Sequence, residues 1–261
     1  MAAARGGETL ASHPSSEINM IGNLALREDA ALDAHASLPS RDETLARYHH
    51  LREISKRHHA NIQAFLSGDA IFRHGRRLGL AQGKTFILDS MDEMVLVMDL
   101  AIHTAPADRS RAIDRYANSA PYASGTDEAL MLEAMRQARF AILLARRRHP
   151  AVGLIVTDLF REIDLWLIDE GLERSLPIGA AFATRYYSPS NEPFVMTAGV
   201  AVPVETRALL DVVASVPQLT RKSRIEAMDD RRFAEAIYRG AVENGTAAKT
   251  AYVDPSEAAT V

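Results

Sequence analysis

Three side chains, Asp92, Asp99 and His103, have residue types and a spacing that could do chemistry. At 100° per residue a helix would place them within roughly 40° of one another. Asp99 and His103 also stand four residues apart, so the carboxylate would either share a divalent metal with the imidazole or orient it as a general base. A set of this kind would serve a metal-dependent enzyme with a helical Asp/His site; no cofactor is predicted from the sequence, and a divalent metal is what such a set could take. The competing expectation is a solvated helix face with an intrahelical ion pair worth about 0.3 kcal/mol. No Glu-x-x-His or His-Glu-x-x-His pattern supplies further ligands, and Walker A, G-x-G-x-x-G and G-x-S-x-G are absent.

A second group lies in Asp169 to Ser175. Asp169, Glu170 and Glu173 cluster around Gly171 beside Arg174, without the ligand order of a calcium-binding EF-hand. We read Asp169, Glu170, Glu173 and Arg174 as a contact surface for a protein partner. His49, His50, His58 and His59 stand in a basic stretch with Arg47, Arg52, Lys56 and Arg57. His58 falls on the apolar line of that stretch and is expected to be a buried, hydrogen-bonded residue. The others describe a basic face that could meet nucleic acid. Arg146, Arg147 and Arg148 could do the same if a sheet brought Arg185, Tyr186 and Tyr187 beside them, although edge-strand protection is the commoner role.

The elements that must hold these residues follow from periodicity. Ser40 and Glu43 form an S-x-x-E capping box, after which Leu45, Tyr48, Leu51, Ile54, His58, Ile62 and Phe65 recur at helical spacing up to Gly68. Asp69 would cap a second, weaker helix limited by Gly75 and Gly79. A third helix is expected from about Phe86 to His103, with Met91, Met94, Val95 and Met98 filling the core. Pro106 would open a short helix through Tyr116, and Ser124 with Asp127 would cap another. Five apolar runs then follow: Phe140 to Arg146, Val152 to Leu159, Ile163 to Asp169, Ala180 to Tyr187 and Phe194 to Val202. Val152 to Asp169 also fits a helical period, but its β-branched cluster and the polar Arg161-Glu162 break favour two strands. Trp166, the only tryptophan, would be the aromatic centre of the strand core.

The fold expected is α+β: an N-terminal helical layer, a five-stranded antiparallel meander or small β-barrel over 139–204, and C-terminal helices. The alternative is a mainly α protein with one β-hairpin. The segments would be a disordered tail over 1–39, a helical region over 40–138, the meander over 139–204, helices over 205–243, and a flexible tail over 244–261. The C-terminal helices would carry Leu209, Leu210, Val212 and Val213, then a longer segment from Ser223 to Val242.

Composition bounds function by exclusion. The chain of 261 residues has no cysteine, which rules out disulfides, thiolate metal sites and cysteine nucleophiles. No apolar run approaches the length of a spanning helix, and no secretory signal is expected at the N-terminus. A cytoplasmic location fits. Net charge is -4, yet residues 39 to 84 carry nine basic against four acidic groups, and 85 to 138 carry four against nine. Basic and acidic helices packed side by side would account for this, and the overall acidity argues against nucleic acid. The reading reached is a non-enzymatic binding or regulatory module that works through its β-meander loops. Protein partners or self-association are its expected contacts, and membranes are not.

Overall fold

The first described helix starts where the capping box demands it. Ser40 Oγ accepts the Glu43 amide, and the Glu43 carboxylate accepts the Ser40 amide in return, which satisfies two otherwise orphaned donors. The structure is a computed structural model and describes residues 40–205, 216–220 and 222–247. The tail expected over 1–39, the apolar run Leu209 to Val213 and the end of the chain from residue 248 lie outside the described residues.

Helix α1, Arg41–Ile62, buries Tyr48, Leu51, Ile54, His58 and Ile62 on the stripe that periodicity indicates. A single 3-10 turn, Gln63–Phe65, leads to α2, Gly68–Leu78, which Ser67 caps and Gly79 ends in the left-handed conformation. A two-stranded hairpin, β1 (Ala81–Gln82) and β2 (Thr85–Phe86), then interrupts the helical layer. Its Phe86 ring stands where a side chain at position 75 would be: a Cβ on Gly75 would lie 2.5 Å from it. Gly75 is therefore a packing requirement of α2 rather than a weakness in it.

Helix α3, Met91–His103, starts later than periodicity suggests because Ser90 and Glu93 form its cap. Helix α4, Ala112–Ser119, begins six residues beyond Pro106, and α5, Asp127–Arg136, is capped by Thr126 rather than by Ser124. Strands β3 (Arg139–Arg148), β4 (Leu154–Asp158), β5 (Ile163–Ile168), β6 (Ala181–Tyr187) and β7 (Val195–Thr197) follow, with α6, Glu170–Ser175, between β5 and β6. A short strand β8, Val202–Pro203, is succeeded by α7 (Pro217–Thr220), α8 (Arg224–Met228) and α9 (Arg231–Glu243).

The protein is α+β, with about 48% helix and 19% strand among the described residues and a small closed β-barrel. The five runs are strands, and the doubtful segment Val152 to Asp169 is the hairpin β4–β5. They do not form a purely antiparallel meander. The barrel order is β3-β4-β5-β7-β6, closed by β6 on β3, and β5 pairs with β7 in parallel. The reason is the connection after β5. Asp169 to Ala180 is spent on α6 and a turn, and carries the chain across to β3, so that the β6–β7 hairpin must fill the gap left beside β5. Strand β8 shares with β7 the same edge of β6, pairing at Phe182 and Ala183 while β7 pairs at Tyr186 and Tyr187.

Two turns hold the barrel in register. Gly153, between β3 and β4, has φ +82, and a Cβ there would lie 2.3 Å from the Leu167 carbonyl oxygen. Between β4 and β5 the left-handed residue is Glu162, at φ 55. That conformation costs a non-glycine residue about 1–2 kcal/mol. Asp158 offsets it by accepting the Phe160 and Arg161 amides and the Arg161 guanidinium, which also reaches Asp229 beyond α8.

The helices bury two apolar clusters against the barrel. One joins α2, α3 and α9 to Phe140, Ile142, Phe182 and Val202; the other joins α1, α4 and α5 to Ile168, Tyr187, Phe194 and Met196. Basic α1 and acidic α5 pack side by side, with Arg47 and His50 on Asp127 and Arg57 on Glu128. None of the described helices is long and apolar enough to cross a membrane.

Candidate functional site

The Asp92, Asp99, His103 set is on one helix but does not form one site. Asp92 lies two turns from Asp99, about 10 Å along the axis, too far to share an ion with it. The stripe assignment also reverses. Met91 is 75% exposed and Val95 39%, whereas Asp99 and His103 are each only 6% exposed. This is because β6 brings a buried arginine against the polar side of α3. Arg185 Nε and Nη2 donate to Asp99 Oδ1 and Oδ2 at 2.8 and 3.0 Å, and the Tyr238 hydroxyl of α9 donates to Oδ2 at 3.1 Å. Burial lowers the proton affinity of Arg185, but the adjacent Asp99 carboxylate outweighs it and the guanidinium holds its proton more tightly than usual. Burial, followed by the Arg185 charge, pushes His103 well below the ordinary histidine range, so it is neutral, and its Nδ1 has no partner. Among the described residues, no three His, Asp or Glu side chains stand together closely enough to hold a metal.

The proposed contact loop is partly inward. Asp169 is buried, caps α6 by accepting the Leu172 amide, and accepts the Thr197 hydroxyl. Glu170 pairs with His49 and Glu173 with Arg41, both of α1. Of the four residues, Arg174 remains exposed.

His58 is buried as expected. Its Nε2 faces the Glu128 carbonyl, which can only accept, so the proton sits on Nε2 and Nδ1 accepts from the Tyr116 hydroxyl. The arginine triplet and the tyrosine pair are separated by the register: Arg139 pairs with Tyr186, while Arg146 to Arg148 lie at the far end of β3. Tyr186 and Tyr187 are 3% and 1% exposed, so they offer no stacking surface. Trp166 is only half-buried. It stacks on His149 at 3.8 Å between ring centroids and donates Nε1–H to the Val152 carbonyl.

A concavity lies elsewhere, between α2, the α3–α4 connection and the start of α9. Its smaller lobe, about 250 Å³, is lined by Arg73, His74 and Arg77 of α2, by Thr104 to Pro106, and by Arg231, Arg232 and Glu235 of α9. An adjoining lobe of about 510 Å³ shares Arg73, His74 and Thr104 to Pro106, and adds Leu66, Ser67, Ala70, Ala101, Asp108 to Ser110, Ala112 and Arg115.

Each element presents these groups for a local reason. Arg73 and Arg77 are one helical turn apart and so share a face. Asp230 caps α9 by accepting the Arg232 amide, which places Arg231 at the rim, where it donates to the Ala105 carbonyl at 2.9 Å. Arg77 reaches Glu235 at 3.1 Å, and Arg232 is held by Asp230.

Two members are unpartnered. Arg73 is half-buried and makes no hydrogen bond or ion pair among the described residues, and His74 is buried with its Nδ1 unsatisfied. Burial, then the charges of Arg77, Arg73 and Arg231, push His74 down to about 4, against a weaker pull upward from Asp99. It is thus a neutral imidazole in a positively charged cleft.

Sequence reasoning passed over this site because α2 looked weak. The signal was present in Arg73-His74-Gly75-Arg76-Arg77: a basic run around a histidine, on a helix whose glycine marks a close approach.

Fold and site together define a small mixed β-barrel wrapped by helices, with a cationic cleft among the helices. Residues 42–247 match the family of unknown function DUF7986, and the chain belongs to that family. No curated protein and no solved structure matches it.

Proposed function

We propose that this protein is a non-enzymatic binding module that takes a small anionic ligand in the cleft between α2, the α3–α4 connection and α9. The observation that carries the reading is Arg73: a half-buried guanidinium without a partner, beside a buried histidine with an unsatisfied nitrogen. Leaving a half-buried guanidinium unpaired costs stability, and an anion in the cleft pairs with Arg73.

Of the set with catalytic spacing, Asp99 is committed to the fold, accepting from Arg185 and Tyr238. His58, which bridges α1 to α4 and α5, and Asp169, which caps α6, hold the fold as well. The loop face after β5 takes a lesser place in this reading, since Glu170 and Glu173 are engaged by α1. A cysteine-free chain fits the cytoplasm as its compartment.

Calorimetric titration with phosphate, sulfate and citrate at low ionic strength tests the proposal. Saturable binding of at least one anion, weakened about tenfold by Arg73→Ala, is the expected result. Failure of every anion to bind would remove it.

A further inference from the structure

The cleft has two unlike lobes, and their chemistry narrows the ligand. The smaller lobe brings Arg73, Arg77 and Arg231 around His74, with Arg232 at its edge. Arg77 is paired with Glu235, and Arg232 shares Asp230 with Lys222, which leaves Arg73 and Arg231 without a carboxylate among the described residues. A carboxylate brings one charge and two coplanar oxygens. A phosphomonoester at neutral pH brings a charge of about -1.5 to -2 and three terminal oxygens. Three guanidinium forks, two on α2 and one on α9, and an imidazole keep more donors than one carboxylate can accept even with Arg77 on Glu235 and Arg231 on the Ala105 carbonyl, and a tetrahedral phosphate group presents an oxygen in each direction.

The larger lobe is not built for charge alone. Its wall is apolar at Leu66, Ala70, Ala101 and Ala112, with the Ser67 and Thr104 hydroxyls among them, and its volume of about 510 Å³ suits a small organic body. Because the lobes share Arg73, His74 and Thr104 to Pro106, one molecule can occupy both.

We infer that the ligand is a small phosphomonoester, its phosphate held by Arg73, Arg77 and Arg231 beside His74 and its organic body in the larger lobe. This rests on the anion-binding reading above and goes beyond it in naming the anion. His74 is faced by Arg73 and Arg77 from α2, Arg231 and Glu235 from α9, and Asp99 from α3, so a bound dianion offsets the excess positive charge around it.

The test is calorimetric titration of the full chain at low ionic strength with glucose 6-phosphate, glycerol 3-phosphate, inorganic phosphate, glucose and citrate. The expected result is binding of at least one phosphomonoester about tenfold or more tighter than inorganic phosphate and citrate, with none of glucose. Arg73→Ala should lose about tenfold or more, and Arg57→Ala, on the far side of α1, should lose nothing. His74→Gln should weaken binding as well; if that variant does not fold, the His74 ring resonances of the wild type serve instead, their titration midpoint moving upward when the ester is added. Citrate binding as tightly as either ester would overturn the phosphomonoester while leaving the anion site intact. Esters that bind no better than inorganic phosphate would overturn it too. Absence of all anion binding would remove both readings.

Discussion

Arg185 and Asp99 form a bidentate pair in the protein interior, with donor–acceptor distances of 2.8 and 3.0 Å and side chains 7% and 4% exposed. The pair ties β6 of the barrel to α3, and Tyr238 adds α9 to the same carboxylate. Asp99→Ala would strand a buried guanidinium and is expected to cost about 3–5 kcal/mol. Asp99→Ala with Arg185→Met removes both charges and should recover part of that loss. Urea denaturation of the two variants checks it; equal loss in both would show that the charge left behind is not what matters.

Acidification acts through histidines. His58, His74 and His103 all have proton affinities lowered by burial in the folded protein. The unfolded chain therefore binds protons first. Their contribution to stability is fully present above the unfolded value near 6.5 and is lost as pH falls toward the folded values. For His74, at about 4, the loss across that window is about 3 kcal/mol. Urea midpoints measured at pH 7.5, 6 and 5 should fall steadily, and His74→Gln should reduce the slope by about one proton.

Two glycines with the same backbone geometry should behave differently. Gly153→Ala meets both φ +82 and the Leu167 carbonyl oxygen at 2.3 Å, so it should cost more than about 3 kcal/mol by forcing β3, β4 and β5 apart. Gly179→Ala meets φ +87 and open space, and should cost about 1 kcal/mol. Thermal unfolding separates them.

Trp166 is a built-in reporter of the β3–β4–β5 corner. Its stacking on His149 at 3.8 Å means that protonating the imidazole will change its fluorescence. Burial and the Arg147 charge lower the His149 proton affinity, so the change should come at a pH below the usual histidine midpoint of about 6.5. His149→Phe should abolish it.

Arg73 should be dispensable for folding. It has no hydrogen bond or ion pair among the described residues and stands among like charges, so Arg73→Ala should alter stability by no more than about 0.5 kcal/mol. Phosphate at millimolar concentration should raise the melting temperature of the wild type but not of this variant.

The sequence by itself determined the local structure. Ser40 and Glu43 start α1, because a helix cap is a matter of neighbouring residues, and the β-branched Ile155, Val156 and Thr157 make a strand of Leu154–Asp158 for the same kind of reason. His58 could be placed in the core from its position on an apolar stripe. What lay beyond reach was every relation across the chain. Asp99 and His103 read as one candidate site with Asp92, because spacing along a helix says nothing of what packs against it. Only the barrel, by bringing Arg185 to α3 over 86 residues of separation, turned that carboxylate into a structural tie. The parallel pairing of β5 with β7 was equally hidden, since it follows from where the Asp169 to Ala180 connection runs and not from either strand's composition. The cleft shows the same division. Its basic residues were legible at 73 to 77 and at 231 to 232, but their convergence on His74 exists only because α2 and α9 pack together on α3.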